Sequence, residues 1–292
     1  MARTAERLNE NEPGDYFVDS SCIDCDTCRQ VAPETYARLE SAGQSVVFRQ
    51  PETPEQRLRA AMALVACPTA SIGTVSKTDV GGAAAAFPDP IAPGVYYCGY
   101  ASESSFGASS YLIVRPGGNV LVDSPRAARP LLDRLAELGG VRTMILTHRD
   151  DVADHEAIHR AFGCERVIHE GDVDAGTAVA ERKLRGREPV RLDAELTVIP
   201  VPGHTRGSVA LLYRNQHLFS GDHVWYESVI QRLHAARSVC WYSWAEQTRS
   251  MVELGEYAFE WVLPGHGRRW RAPSREAMRA EVRALAARMA QR

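Results

Sequence analysis

Residues 141–156 read VRTMILTHRDDVADHE. The run VRTMIL has the residue types of a strand, and the ten residues after it hold two histidines, three aspartates and a glutamate. Imidazole and carboxylate are the side chains that bind divalent Zn, Fe or Mn. A cluster of them at the end of a strand is therefore expected to be a metal-binding loop, because strand ends let a rigid scaffold present ligands at one face.

Working outward, the same arrangement recurs. Asp123 follows an apolar run in NVLVDS, His204 lies in VIPVPGHTRGS, Asp222 in HLFSGDH and His266 in FEWVLPGHG. Between these motifs strands alternate with helical patterns such as RAARPLLDRLAELGG, which ends in glycine. Five chemistry-bearing motifs, each behind an apolar run, are far more specific than any one alone.

In that order and with these gaps, residues 94–268 resemble the metallo-β-lactamase superfamily. The resemblance implies an α/β fold, an αββα sandwich, with one or two divalent ions (Zn, Fe or Mn) at one edge. It implies that Asp222 bridges the two metals, that His204 serves the first and His266 the second, and that Asp123 orients the loop carrying His148. Two metals ~3.5–4 Å apart can share a hydroxide and a carboxylate. The family's loop reads H-x-H-x-D-H, and this chain departs from it. Position 150 is aspartate rather than histidine, and the Asp-His pair falls at Asp154 and His155, two residues late. His148, Asp150, His204 and Asp222 are thus expected to hold one metal, and Asp154, His155, Asp222 and His266 the other. Asp151 is the alternative to Asp150, or a cap for the following helix. A carboxylate in place of an imidazole shifts preference toward iron or manganese. With a single metal, Asp154 is the candidate general base. His223, beside Asp222, is a candidate substrate contact.

Residues 1–80 carry a second chemistry. CIDCDTCRQVAP spaces Cys22, Cys25 and Cys28 as in the bacterial ferredoxin run C-x2-C-x2-C-x3-C-P, but the fourth position is Ala32. Cys67-Pro68 supplies the missing thiolate, while Arg57, Ala60 and Ala63 stand where a second cluster would need cysteines. One cluster on four thiolates is expected. YFVD, SVVF and SIGTV read as strands, and Thr53-Pro54-Glu55-Gln56 as a capped helix start leading to Ala66. Residues 14–76 resemble single-cluster bacterial ferredoxins, which implies a 4Fe-4S cluster in a small α+β ferredoxin-like domain. Residues 81–93, rich in Gly, Ala and Pro, read as a linker to a domain spanning 94–292.

The 292 residues are 45% hydrophobic and 24% charged, with a net charge of −3. That balance offers no positive field for nucleic acid. No run of 18 apolar residues occurs, so neither membrane insertion nor a signal segment is expected, and the cytoplasm is the expected location. An odd number of cysteines, seven, argues against a disulfide framework. Cys98, Cys164 and Cys240 are expected to be buried thiols. The segment 224–246 holds Trp225, Tyr226, Trp241, Tyr242 and Trp244 and is the expected specificity wall. The last helix should bury Met278, Val282, Leu285 and Met289 on one stripe.

Three functional readings follow. The first is a metal-dependent hydrolase of an ester, thioester, lactone or phosphodiester, with a fused iron–sulfur module. The second is a non-haem iron redox enzyme of the flavodiiron type fed by the cluster. The third is a non-catalytic redox sensor. A small-molecule substrate and a redox partner protein are the expected partners.

Overall fold

The computed structural model describes residues 2–291. They form two compact units. The first unit takes the chain up to Asn119, then Ser124–Val141 and Ala153–Gly163; the second takes Val120–Asp123, Arg142–Val152 and the chain from Cys164 onward.

In the first unit, β1 (Tyr16–Val18) leads through the Cys22–Cys28 loop into α1 (Thr27–Val31). The hairpin β2 (Tyr36–Leu39) and β3 (Gln44–Val47) follows, then α2 (Pro54–Ala66) and β4 (Ile72–Thr74), which pairs antiparallel with β1. Helix α2 starts and stops where its sequence dictates. Thr53 Oγ1 accepts the Gln56 N–H at 3.1 Å while Gln56 Oε1 accepts the Thr53 N–H at 3.1 Å, and Pro54 occupies the first helical position. Buried Asn11 joins β1 to β3: its Oδ1 accepts the Val18 and Val47 N–H groups, each at 3.0 Å.

The stretch 81–93, expected as a linker, is regular. It contains α3 (Gly81–Ala85) and β5 (Asp89–Ala92), which pairs with β6 (Val95–Tyr97), itself paired with β7 (Tyr111–Ile113). The alanine run has the best helix propensity available, and Pro90 is tolerated because an edge strand leaves one side unbonded. Arg59 of α2 pairs with Asp89 at 2.9 Å. Arg126, just ahead of α4 (Arg129–Glu137), donates to the Ala101 and Val65 carbonyls at 2.8 and 2.9 Å. Helix α5 (His155–Phe162) completes this unit.

The second unit carries the parallel ladder β8 (Val120–Val122), β9 (Thr143–Ile145), β10 (Glu165–His169) and β11 (Arg182–Leu184). Its other sheet has six strands. In spatial order these are β12 (Val190–Arg191), β13 (Leu196–Pro200), β14 (Val209–Tyr213), β15 (His217–Gly221), β18 (Trp261–Pro264) and β19 (Trp270–Arg271). All its pairings are antiparallel except β15 with β18. A short hairpin, β16 (Trp225–Glu227) and β17 (Arg232–His234), follows β15.

Alternation along the strands divides the core. Ala210, Leu212, Leu218 and Val262 join α6 (Trp244–Leu254) and α7 (Arg275–Ala290) through Met251, Leu254 and the stripe Met278, Val282, Leu285 and Met289. Leu211, Phe219 and Leu263 point the other way and are equally buried. Every ligand-type motif of this unit follows one of these apolar strands. No described helix is long and apolar enough to cross a membrane.

Candidate metal centre and cluster site

The loop after β9 is set by a buried relay. Thr147 donates its N–H to Asp123 Oδ1 at 2.8 Å, and its hydroxyl lies 3.0 Å from both carboxylate oxygens. A hydroxyl donating to Asp123 can accept from His148 Nδ1, also 3.0 Å away. That fixes the tautomer and turns the lone pair of His148 Nε2 into the site. Burial pushes the His148 pKa down to about 4, so the ring is a neutral ligand. It pushes Asp123 up to about 8 against the pull of the Thr147 bonds, an imbalance that a nearby cation relieves.

His204, in the loop after β13, is oriented in the same manner. Its Nδ1 donates to the Val239 carbonyl at 2.6 Å, leaving Nε2 3.4 Å from Asp150 and 3.7 Å from Asp222. Burial opposes charge on this ring, but the nearby Asp150 and Asp222 carboxylates outweigh it and raise its pKa. The closeness of His204 holds Asp150 below the usual carboxylate range. Asp222, at the end of β15, is the hub: its Oδ2 lies 2.8 Å from His266 Nδ1 and 3.7 Å from His148 Nε2, and its Oδ1 accepts the His266 N–H at 3.0 Å. Burial would raise Asp222, yet His266, His148 and His204 together hold it far below the ordinary value.

The structure brings together His148, Asp150, His204, Asp222 and His266 as expected, and adds Asp151. Asp151 is 1% exposed, its oxygens have no hydrogen-bond partner, and Oδ2 lies 3.7 Å from His148 Nε2 and 4.0 Å from His266 Nδ1. Burial and the charge of Asp222 push it well above the usual carboxylate range. Gly265 permits this packing, since a Cβ there would meet Asp151 Oδ2 at 2.6 Å and Asp222 Oδ1 at 2.8 Å.

Asp154 and His155, expected in the second ligand set, are not in either group the structure gathers. The chain turns through Ala153 in the left-handed region (φ +28°) before α5 begins. Exposed Asp154 accepts the Ala127 N–H at 2.8 Å, and His155 is buried in the first turn of α5. Nor does Asp151 cap that helix; Asp154 holds the cap position, its side chain bonded to Ala127 rather than to a helix N–H. His223 is 1% exposed and neither ring nitrogen has a hydrogen-bond partner; burial and His204 push its pKa down to about 3, so the ring carries no charge at neutral pH.

Two ligand groups result: His148, Asp150 and His204, and His148, Asp151 and Asp222, the atoms of each within 4.8 Å of one another. Buried His148 Nε2, His204 Nε2 and both Asp151 oxygens have no hydrogen-bond partner. Such atoms are costly unless something fills the space between them. A divalent cation fits that donor set.

One residue of this centre has no signal in the sequence. Asp172, in the turn after β10, is 1% exposed and accepts from Gly207 N at 2.7 Å, Thr205 Oγ1 at 2.5 Å and Arg149 N at 3.1 Å. It thereby pins the His204 loop and the His148–Asp150 loop to each other, while HEGDVD reads as any polar turn. Of the aromatic segment, Trp241 and Tyr242 flank the site, their N–H groups donating to the His204 carbonyl at 2.9 and 3.1 Å, and Trp225 packs against Gly267 beside His266. Tyr226 stacks on Trp270, and Trp244 bonds the Met289 carbonyl. Cys98 and Cys164 are buried as expected, but Cys240 is half-buried, its Sγ 3.1 Å from the Gly203 carbonyl.

In the first unit, Cys22, Cys25, Cys28 and Cys67 line one pocket with Val18, Ile72 and Pro68. Asp24 and Asp26 take left-handed φ values of 59° and 67°, curling the loop around that pocket. Arg29 braces the curl, reaching Asp24 at 2.6 Å, Asp26 at 2.5 Å and Ser45 Oγ at 2.7 Å. Ser45 N–H points at Cys22 Sγ at 3.3 Å, the kind of bond that stabilises a coordinating thiolate. Burial pushes the Cys25 thiol up to about 11 and Cys28 higher. Four converging thiols, with Cys25 and Cys28 held protonated by burial in the absence of a cation, fit an iron–sulfur cluster.

Comparison with known proteins agrees with both halves. Residues 18–74 match the family described as the 4Fe-4S single cluster domain of Ferredoxin I. A metallo-β-lactamase family protein of Thermus thermophilus has a TM-score of 0.50 at 19% identity, over 69% of this chain and 81% of that one. DIM-1 metallo-β-lactamase gives 0.50 at 16% identity, over 67% and 95%. In sequence, the hydroxyacylglutathione hydrolase of Anaeromyxobacter dehalogenans is 39% identical over 120 residues, 39% of this chain and 44% of that one. The human acyl-coenzyme A thioesterase MBLAC2 is 40% identical over 75 residues, 25% of this chain and 26% of that one. The chain spans less than half the length of the curated relatives it matches. This protein has the metallo-β-lactamase fold. It carries, ahead of that fold, an iron–sulfur segment of the single-cluster ferredoxin type.

Proposed function

We propose that the chain is a metal-dependent thioester hydrolase. The observation that carries the reading is the meeting of two ligand groups, rich in buried atoms without hydrogen bonds, at His148. Its narrowing from the wider ester class to thioesters rests on the printed names of the curated relatives, one acting on a hydroxyacylglutathione and one on acyl-coenzyme A.

His148, Asp150, His204 and Asp222 would hold one cation, and Asp151, Asp222 and His266 a second. The chemistry a cation would supply there is a lowered pKa of bound water, toward ~7, and polarisation of a carbonyl oxygen. The protein's own part is orientation. Thr147 and Val239 take the Nδ1 protons of His148 and His204, which commits the Nε2 of each to the site, while His266 presents Nδ1 to Asp222 and Asp151. Asp150, the more exposed carboxylate of the centre, stays ionised through His204 and stands where water and substrate enter. Trp241 lies over the His204 ring at 6.1 Å and limits how a substrate approaches.

The test is full-length protein prepared anaerobically, its metal content measured element by element, assayed on a thioester panel without reductant. Turnover that tracks a divalent metal beyond the cluster iron and is lost in Asp222→Asn is expected. Absence of such a metal, or turnover untouched by its removal, would refute the proposal. A redox reading is favoured by one feature: three carboxylates among six donors make a hard ligand set suited to iron. It requires activity that depends on reductant.

A further inference from the structure

The second unit contains a cavity of about 630 Å³ that no step above uses. Its walls are the end of β10, the turn at Gly186 and Arg187, the loop from Pro202 to Ser208, and Tyr242. The volume falls in the range of ~300–1,000 Å³ common for small-molecule sites.

The walls are braced. His169 Nδ1 accepts the Gly171 N–H at 3.1 Å, which leaves the proton on Nε2 to donate to the Gly186 carbonyl at 2.8 Å. Arg187 is tied to Glu246 of α6 at 2.7 Å. These bonds hold three of its walls in place.

Its charge is unbalanced. Glu170 is offset by Arg185 at 3.3 Å, and Glu246 is shared between Arg187 and Arg249. Arg206 is exposed and, among the described residues, takes part in no hydrogen bond or ion pair. A chain of net charge −3 thus lines this one hollow with surplus guanidinium. A planar guanidinium with all its donors available is built for carboxylate or phosphate.

Position gives the feature its meaning. Arg206 follows His204 by two residues, and Tyr242 hangs on the His204 carbonyl through its N–H at 3.1 Å. The cavity and the metal centre share a wall.

We infer that this cavity binds an anionic arm of the substrate, a carboxylate on one side of the scissile bond, with Arg206 as its principal contact and Tyr242 and Arg187 beside it. The inference rests on the thioester reading only for the word substrate; binding itself needs no turnover. A carboxylate on the acyl side and one on the thiol side offer the same chemistry.

The experiment measures binding of two non-hydrolysable thioethers to the full-length protein, S-hexyl-mercaptosuccinate and its diamide, by calorimetry at low and high salt. The dicarboxylate should bind at least about tenfold more tightly than the diamide, as one charge-assisted contact provides. Arg206→Ala should erase that preference and Arg206→Lys restore part of it. Equal binding of the pair, or a preference that survives Arg206→Ala, overturns the inference. Turnover of glutaryl-N-acetylcysteamine against hexanoyl-mercaptosuccinate then tells which side carries the anion. Charge-selective binding without turnover of any thioester would refute the hydrolase reading and leave this inference standing; turnover indifferent to charge would do the reverse.

Discussion

Replacing Asp172 by asparagine tests the architecture of the metal centre more directly than replacing any ligand. In the native protein Oδ1 faces only the Gly207 N–H, and Oδ2 faces the Thr205 hydroxyl and the Arg149 N–H. An amide of the same shape must put its NH₂ against one of these donors. With Oδ2 retained as the carbonyl, the Gly207 N–H is left facing another donor in a place without water. The loss is one charge-assisted bond of ~1.5–3 kcal/mol, and the two bonds that remain weaken as the charge goes. Asp172→Asn should therefore lower the unfolding free energy by about 2–4 kcal/mol, read as a shift of the urea midpoint at unchanged slope. Because the same bonds set the backbone just after His148 and just after His204, divalent-metal affinity should fall by about 10- to 100-fold. A variant within about 0.5 kcal/mol of the parent, the ordinary range for a surface change, with unaltered zinc binding would refute the pinning role.

Asp151→Asn should lose bound divalent metal while Asp154→Asn keeps it, measured by elemental analysis at equal cluster iron; the opposite pattern would restore the spacing-based ligand set. Gly107→Ala should cut cluster iron and its visible absorbance, because at φ +84° a Cβ would sit 2.5 Å from Cys25 Cβ and 2.9 Å from its Sγ; full iron content would contradict this packing. Glu181 is held at about 2, chiefly by its bonds to Arg166. A carboxylate depressed on folding stabilises above its unfolded value near 4.5, and that contribution fades as pH falls toward about 2. With its side chain 36% exposed, the contribution after screening is about 1–2 kcal/mol. Glu181→Gln should show that deficit at pH 7 and none at pH 2 by chemical denaturation; a deficit independent of pH would assign the effect to packing.

The parts of this molecule that were legible in sequence are those where one local pattern has one physical outcome. Thr53, Pro54 and Gln56 fix the start of α2, and its end at Ala66 sends Cys67 to the pocket of the other three cysteines. His148, His204, Asp222 and His266 follow apolar strands, and strand ends converge in this fold. What could not be read depends on contacts between distant segments. Counting residues from His148 favoured Asp154 and His155, but a single left-handed turn at Ala153 decides which acid points inward. Asp172 is recognisable only when Thr205 and Gly207 are seen beside it. The alanine- and proline-rich stretch 81–93 has linker composition, yet pairing with Val95–Tyr97 makes part of it a strand.

Arg126 has a practical consequence for anyone handling this protein. Its guanidinium clasps the carbonyl of Val65, two residues short of Cys67, and the Ala101 N–H reaches the Ala66 carbonyl at 3.2 Å. An excision beginning at residue 94 would strip both groups of their acceptors and open a hydrophobic interior to water. The iron-carrying segment is not a cartridge to be swapped or discarded, and grafting it onto another enzyme would require moving its socket as well.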